Sequence, residues 1–151
     1  MKKLFSLMIT LFIAHAASAQ FVAKMEVKGP LPGACDSANV YAMFPGFKGQ
    51  VAPVAPMSDK EIEKMLNNEV LYIKDHPKFS GKMMIHIIVN CKGEMIRCEV
   101  DNKSKEPDFD ADVLHVFQKM QKWTPGTLDG NEVDCSVLYS IEVKKGKITV
   151  L

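Results

Sequence analysis

Four cysteines (Cys35, Cys91, Cys98 and Cys135) and three histidines (His76, His86 and His115) are the side chains past residue 20 suited to nucleophilic attack, redox exchange or metal binding. Their spacing argues against all three. Six residues lie between Cys91 and Cys98, so neither a C-x-x-C redox pair nor the doubled pair of a structural zinc site is present. A cysteine nucleophile needs its thiolate beside a histidine that a third group orients. His86 and Cys91 fall on opposite faces of an alternating run, His86 and His115 sit at solvent-side positions of their patterns, and His76 precedes a proline. The expectation is a non-enzyme, with no catalytic residue, no metal and no cofactor. What remains for the thiols is disulfide formation, which depends on the compartment.

The opening stretch "MKKLFSLMITLFIAHAASAQ" addresses that point. Lys2 and Lys3 form a basic start, Leu4 to Ala14 an apolar run, and Ala17-Ser18-Ala19 a small-residue cleavage site. Residues 1–19 therefore read as a signal peptide, with the mature chain starting at Gln20. An uncleaved anchor would need about 20 continuous apolar residues, and His15 interrupts the run, so no transmembrane segment is expected after cleavage. The expected location is periplasmic or secreted, where disulfides persist. Loss of the signal leaves 17 basic against 18 acidic residues, interleaved everywhere except "KKGK" at 144–147, which reads as a solvated turn. Nucleic-acid binding needs clustered cations to displace phosphate counterions, so that class of partner is excluded. The remaining 132 residues suffice for one domain with one core.

The elements follow from local pattern. Residues 20–43 read as an irregular lead-in rich in Pro and Gly, with Tyr41, Phe44 and Phe47 near its end as aromatics that lie against something. Ser58 as N-cap, Glu61 three residues on, and Ile62, Met65 and Leu66 on one face predict a helix ending near Asn67 or Asn68. "GKMMIHIIVNCKGEMIRCEVDN" gives two alternating runs about a Lys92-Gly93 turn, a hairpin. "EPDFDADVLHVFQKMQKW" predicts a second helix capped by Asp108 or Asp110 and stopped by Pro125-Gly126. After an Asp129-Gly130 turn, strict alternation marks a third strand, and "KITVL" either folds back as a fourth or frays. Trp123, Pro125, Gly126 and Gly93 read as structural, Trp123 as a helix-end aromatic filling the gap to the sheet.

Register then places the thiols. With Cys91 opposite Glu94, Ile85, Ile87, Val89, Cys91, Ile96, Cys98 and Val100 share the core face, and Met84, His86, Arg97 and Glu99 the other. In the third strand Val133, Cys135, Val137, Tyr139, Ile141 and Val143 face one way. If that strand lies antiparallel beside the first, Cys91 meets Cys135, closing a loop of about 44 residues worth roughly 3 to 4 kcal/mol. The other reading is two buried free thiols. Cys98 with Cys35 is the leftover pair, while Cys91 and Cys98 are on the order of 12 Å apart, beyond disulfide reach.

The order helix, strand, turn, strand, helix, Trp-x-Pro-Gly, turn, strand resembles the C-terminal domain of the TonB family. The signature is "GKMMIHIIVNCKGEMIRCEV", "FDADVLHVFQKMQKWTPG" and "LDGNEVDCSVLYSIEV", and the similarity extends from Phe44 to Val143. The resemblance implies an α+β, TonB/TolA C-terminal-like fold over 44–151: a three-stranded antiparallel sheet packed against two helices. It also implies a periplasmic domain that contacts outer-membrane receptors, captures a receptor peptide beside its last strand and transmits force from an inner-membrane motor. Glu132 to Val143 matches that strand, making Glu132, Asp134, Ser136, Leu138, Ser140 and Glu142 its partner-binding positions. Capture would be strand addition, in which unpaired backbone groups of an edge strand hold an extended peptide.

This chain departs from the family's transducers. It has a cleavable signal and only about 25 residues of lead-in, too few at about 3.3 Å each to cross a periplasm. Fold and binding mode are carried over, and energy transduction is not. The expected function is an exported interaction module that binds an envelope protein, such as an outer-membrane receptor, by strand addition. The alternative is a disulfide-stapled structural or accessory subunit of an envelope complex with its sheet edge already closed. The tail discriminates, because pairing of Ile148–Leu151 with the third strand would close that edge. An open edge would also permit a homodimer by strand exchange.

Overall fold

The computed structural model describes residues 21–25, 29–36, 38–44 and 46–151; the expected signal peptide, 1–19, lies outside them. Capping starts the first helix, α1 (Asp59–Glu69). The Ser58 side chain accepts from the Glu61 backbone N–H, and the Glu61 carboxylate accepts from the Ser58 backbone N–H. The Ser58 backbone N–H and then its hydroxyl, both donating to the Glu61 carboxylate, hold that carboxyl below its usual range. A single turn, α2 (Tyr72–Asp75), follows. Beyond it the alternating runs form β4 (Gly81–Val89) and β5 (Met95–Asn102), antiparallel, with Ile87 opposite Cys98.

Helix α3 (Pro107–Gln118) starts at Pro107, not at an aspartate cap. A proline at the first helical position sacrifices no intrahelical bond. Asp110 instead accepts the Ser104 backbone N–H, tying the preceding loop to the helix. The apolar faces of α1 and α3 meet the inner face of the sheet. Ile62, Leu66, Phe109, Val113 and Phe117 lie fully buried against Ile85, Ile87, Val89, Ile141 and Val143. Each such side chain contributes about 1.5–3 kcal/mol relative to exposure. Trp123 fills the gap beyond α3, donating its indole N–H to the Met120 carbonyl at 2.9 Å.

The sheet is larger than the three strands expected. Its order is β1-β2-β8-β4-β5, with β9 also on β8. Here β1 (Ala23–Met25) and β2 (Val40–Ala42) come from the lead-in, which is thus not wholly irregular, and β8 (Cys135–Lys144) is the longest strand. The tail forms β9 (Lys147–Val150). A second sheet, β3-β6-β7, joins β3 (Gln50–Val51), β6 (Gly126–Leu128) and β7 (Asn131–Val133). The expected continuous strand from Glu132 to Val143 is therefore broken at Asp134, where the chain passes from one sheet to the other.

Two core-face assignments need correction. A register shift between Ile88 and Val89 pairs Val89 with Met95. Such a bulge turns the following residues over. Ile96 packs on the outer face in a second small core with Leu31, Val40 and Ile88. Cys91, just past β4, leaves the core face as well. It bonds Cys35, at Cα–Cα 6.0 Å, and not Cys135; Cys98 and Cys135 are free thiols, so no Cys98–Cys35 pair exists either. The lead-in crosses the outer face and brings Cys35 to the hairpin turn, while Cys135 remains buried on the inner side.

Candidate interaction site

Strand β8 pairs with β4 along its length, from Val89↔Cys135 to Gly81↔Val143. Its other edge is shared. β2 runs parallel to it at Cys135 and Ser136, and β9 antiparallel from Ile141 to Lys144. Between them only Val137–Ser140 face no strand among the described residues. Two bonds fix which backbone groups point outward there: Tyr41 N–H donates to the Asp134 carbonyl at 2.9 Å, and Leu151 N–H to the Ser140 carbonyl at 3.0 Å. Even-numbered residues thus direct their polar groups to this edge, and Leu138 presents N–H and C=O to solvent. Its side chain is 54% exposed.

Each cover is held from outside the sheet. On the β2 side the Asp134 carboxylate, 1% exposed, accepts the Asp36 and Cys91 backbone N–H groups, both at 2.8 Å, astride the Cys35–Cys91 bond. Asp134, Cys35 and Cys91 have a metal-like clustering, but both sulfurs are spent in the disulfide. On the β9 side the Asn67 side-chain amide exchanges two hydrogen bonds with the Ile148 backbone, at 2.8 and 2.9 Å.

The expected partner-binding residues do not form one surface. Glu132 is exposed on β7, and Asp134 is buried. Glu142 pairs with Lys82 and Lys144, which hold its carboxyl below the usual range, the hydrogen bond from Lys144 contributing most. Ser136 and Leu138 do come together, lining a cavity of about 290 Å3 on the outer face. Within it His86 Nε2 lies 2.9 Å from Ser136 Oγ, and Nδ1 lies 3.4 Å from Glu99 Oε1. His86 is only 7% exposed, against its expected solvent position, whereas His115 is exposed. The lead-in shelters this face, and alternation alone could not reveal that.

The structural residues converge at one end. Trp123 N–H donates to the Gly93 carbonyl at 2.8 Å. Gly93 has φ +77°, and any Cβ there would collide with the Trp123 carbonyl oxygen and reach Pro125 Cδ at 3.4 Å. A Cβ at Gly126 would lie 2.5 Å from Cys135 Sγ. Burial pushes the free thiols of Cys98 and Cys135 up to about 11, with Glu99 and Asp134 respectively adding to the effect. Neither is a nucleophile near neutral pH.

The domain thus combines a helix pair on the inner face, a hairpin turn locked to a Trp-x-Pro-Gly loop and the long strand β8. Residues 75–143 match the family model of the Gram-negative bacterial TonB protein C-terminal. The match runs from the end of α2 into β8, so the hairpin, α3 and the Trp123 loop all fall within the matched segment. Strands β1, β2 and β9 lie outside it, and β2 and β9 are the elements that cover the edge of β8. The family indicates an envelope protein-interaction module. Neither the curated proteins nor the solved structures offer a match. No helix among the described residues is long and apolar enough to cross a membrane.

Proposed function

We propose that the protein is an exported interaction module that receives an extended segment of an envelope protein, such as an outer-membrane receptor, against β8 at Leu138. The supporting observation is the Val137–Ser140 opening, where Leu138 turns N–H, C=O and an exposed side chain to solvent. Strand addition reads backbone more than side chain. Export is supported by the leader pattern and by the Cys35–Cys91 bond. On this reading the Ser136–His86–Glu99 chain ties three strands together and the protein is not an enzyme.

Backbone-selective substitution tests the reading. Leu138→Pro removes the outward N–H while sparing the β4 ladder, whereas Leu138→Ala keeps it. A photocrosslinker at Ser140 in exporting cells should trap a partner in wild type and Leu138→Ala, and lose it in Leu138→Pro. Equal trapping in both variants would refute strand addition.

One observation favours a second reading. β2 and β9 close most of the edge, which suits a disulfide-stapled accessory subunit already complete without a peptide. That reading expects trapping at exposed positions away from β8 and indifference to Leu138→Pro. A homodimer through the same opening would appear as a concentration-dependent mass lost in Leu138→Pro.

A further inference from the structure

The outer-face cavity holds a cation, Arg97, that neither the strand edge nor the Ser136–His86–Glu99 chain uses. Its floor crosses three strands, with Arg97 and Glu99 from β5, His86 from β4 and Ser136 from β8, and Met25 and Leu138 supply apolar walls. At about 290 Å3 it lies at the small end of ligand pockets. Arg97 is half-buried, yet no carboxylate lies within ion-pair distance of it among the described residues. Glu99 lies toward His86 Nδ1, and the other ring nitrogen lies at Ser136. When Nε2 of the neutral ring carries the proton, the Ser136 hydroxyl is left to donate into the cavity and the Glu99 carboxylate receives no hydrogen bond from Nδ1.

The charges are ordered along β5. Arg97, Glu99 and Asp101 share one face of the strand and line the cavity in sequence, one cation followed by two anions. Alternate residues of a strand are about 6.5–7 Å apart. A simple anion would suit Arg97 and be repelled by Glu99, and a simple cation the reverse. A zwitterion suits both. In a free amino acid both charges sit on one carbon, too close to bridge the step, whereas two residues of extended chain separate them by about 7 Å.

We propose that this cavity binds a short peptide with free ends, dipeptide in size, its terminal carboxylate on Arg97 and Ser136 and its terminal ammonium between Glu99 and Asp101. Its side chain lies between Met25 and Leu138. The site does not require strand addition at β8, because it recognises charged chain ends and not an extended backbone, so either idea can fail alone.

The test is a titration of the full mature protein, followed by backbone and side-chain amide NMR, with alanyl-leucine and its N-acetyl and C-terminal amide forms. Free alanyl-leucine should give saturable shifts at Arg97, Glu99 and Leu138 with a Kd on the order of 1 mM. Capping either end should weaken binding about tenfold. Arg97→Gln should weaken the free peptide about tenfold and abolish its advantage over the amide, while Arg97→Lys retains that advantage. A scaffold role for Arg97 would not move this preference. Capped and free peptides binding alike, or no saturation at about ten times the expected Kd, overturns the proposal.

Discussion

The two covers on the edge of β8 differ in what holds them. β9 is part of the main core. Ile148 is fully buried with the helix faces, and Asn67 of α1 holds its backbone on both sides. β2 is fastened at the periphery, by a disulfide whose Cys35 is exposed, by the Asp134 carboxylate, and by a small apolar cluster around Leu31, Val40 and Ile88. A strand embedded in the core cannot leave without unfolding the domain. A strand fastened by one covalent clasp and a few polar bonds can come away locally. The opening at Leu138 is bounded by one fixed wall and one detachable wall.

Breaking the clasp should have the largest effect. The Cys35–Cys91 bond spans 56 residues of sequence, so Cys35→Ser with Cys91→Ser should cost about 4 kcal/mol in denaturant unfolding. Beyond that global loss, local opening should expose the amides of Val40–Ala42 and Ser136 before those of β9. Ile148→Ala should cost about 3 kcal/mol and produce the opposite pattern, loosening Glu142 and Lys144 with the whole domain. If both variants released the same amides, the contrast between the walls would collapse.

Asp134 sharpens the comparison. Asp134→Ala leaves two backbone N–H groups without their carboxylate acceptor, and should cost about 2 kcal/mol while leaving the disulfide formed, as a thiol count would verify. The smallest effect is alkaline. Cys98 and Cys135 are pushed up to about 11 and Tyr139 to about 12, all by burial first. Their unfolded forms lose protons at lower pH than the folded ones, so stability should be full below about pH 9 and decline as pH rises toward 11. Denaturant midpoints at pH 8 and pH 10 measure this, and Cys135→Ala should flatten the decline.

How much of this was legible depends on distance along the chain. The Ser58–Glu61 cap and the Lys92-Gly93 turn are local chemistry, and both are read from adjacent residues. The Ile87–Cys98 register follows from that turn, whereas the placing of β8 beside β4 enters the sequence reading only as the condition for a Cys91–Cys135 bond. The strands on the far edge of β8 were harder. β2 has three residues and little alternation to show, and the pattern of β9 suits a strand and a frayed tail alike. The Cys35–Cys91 pairing depends on where the lead-in crosses the outer face, which no period in the sequence encodes. The His86–Ser136 contact had a usable signal, since both residues were on the non-core side of neighbouring strands. What hid it was the assumption that this side is solvent.

Residue-resolved amide exchange across β8 in the free mature protein tests the central claim most directly. Val137 and Tyr139, directed to β4, should exchange slowly, as should Ser136, Glu142 and Lys144, covered by β2 and β9. Leu138 and Ser140, whose N–H groups meet no strand, should exchange fast. A Leu138 amide as protected as its neighbours would mean that the edge is filled, and would contradict an open strand-addition site.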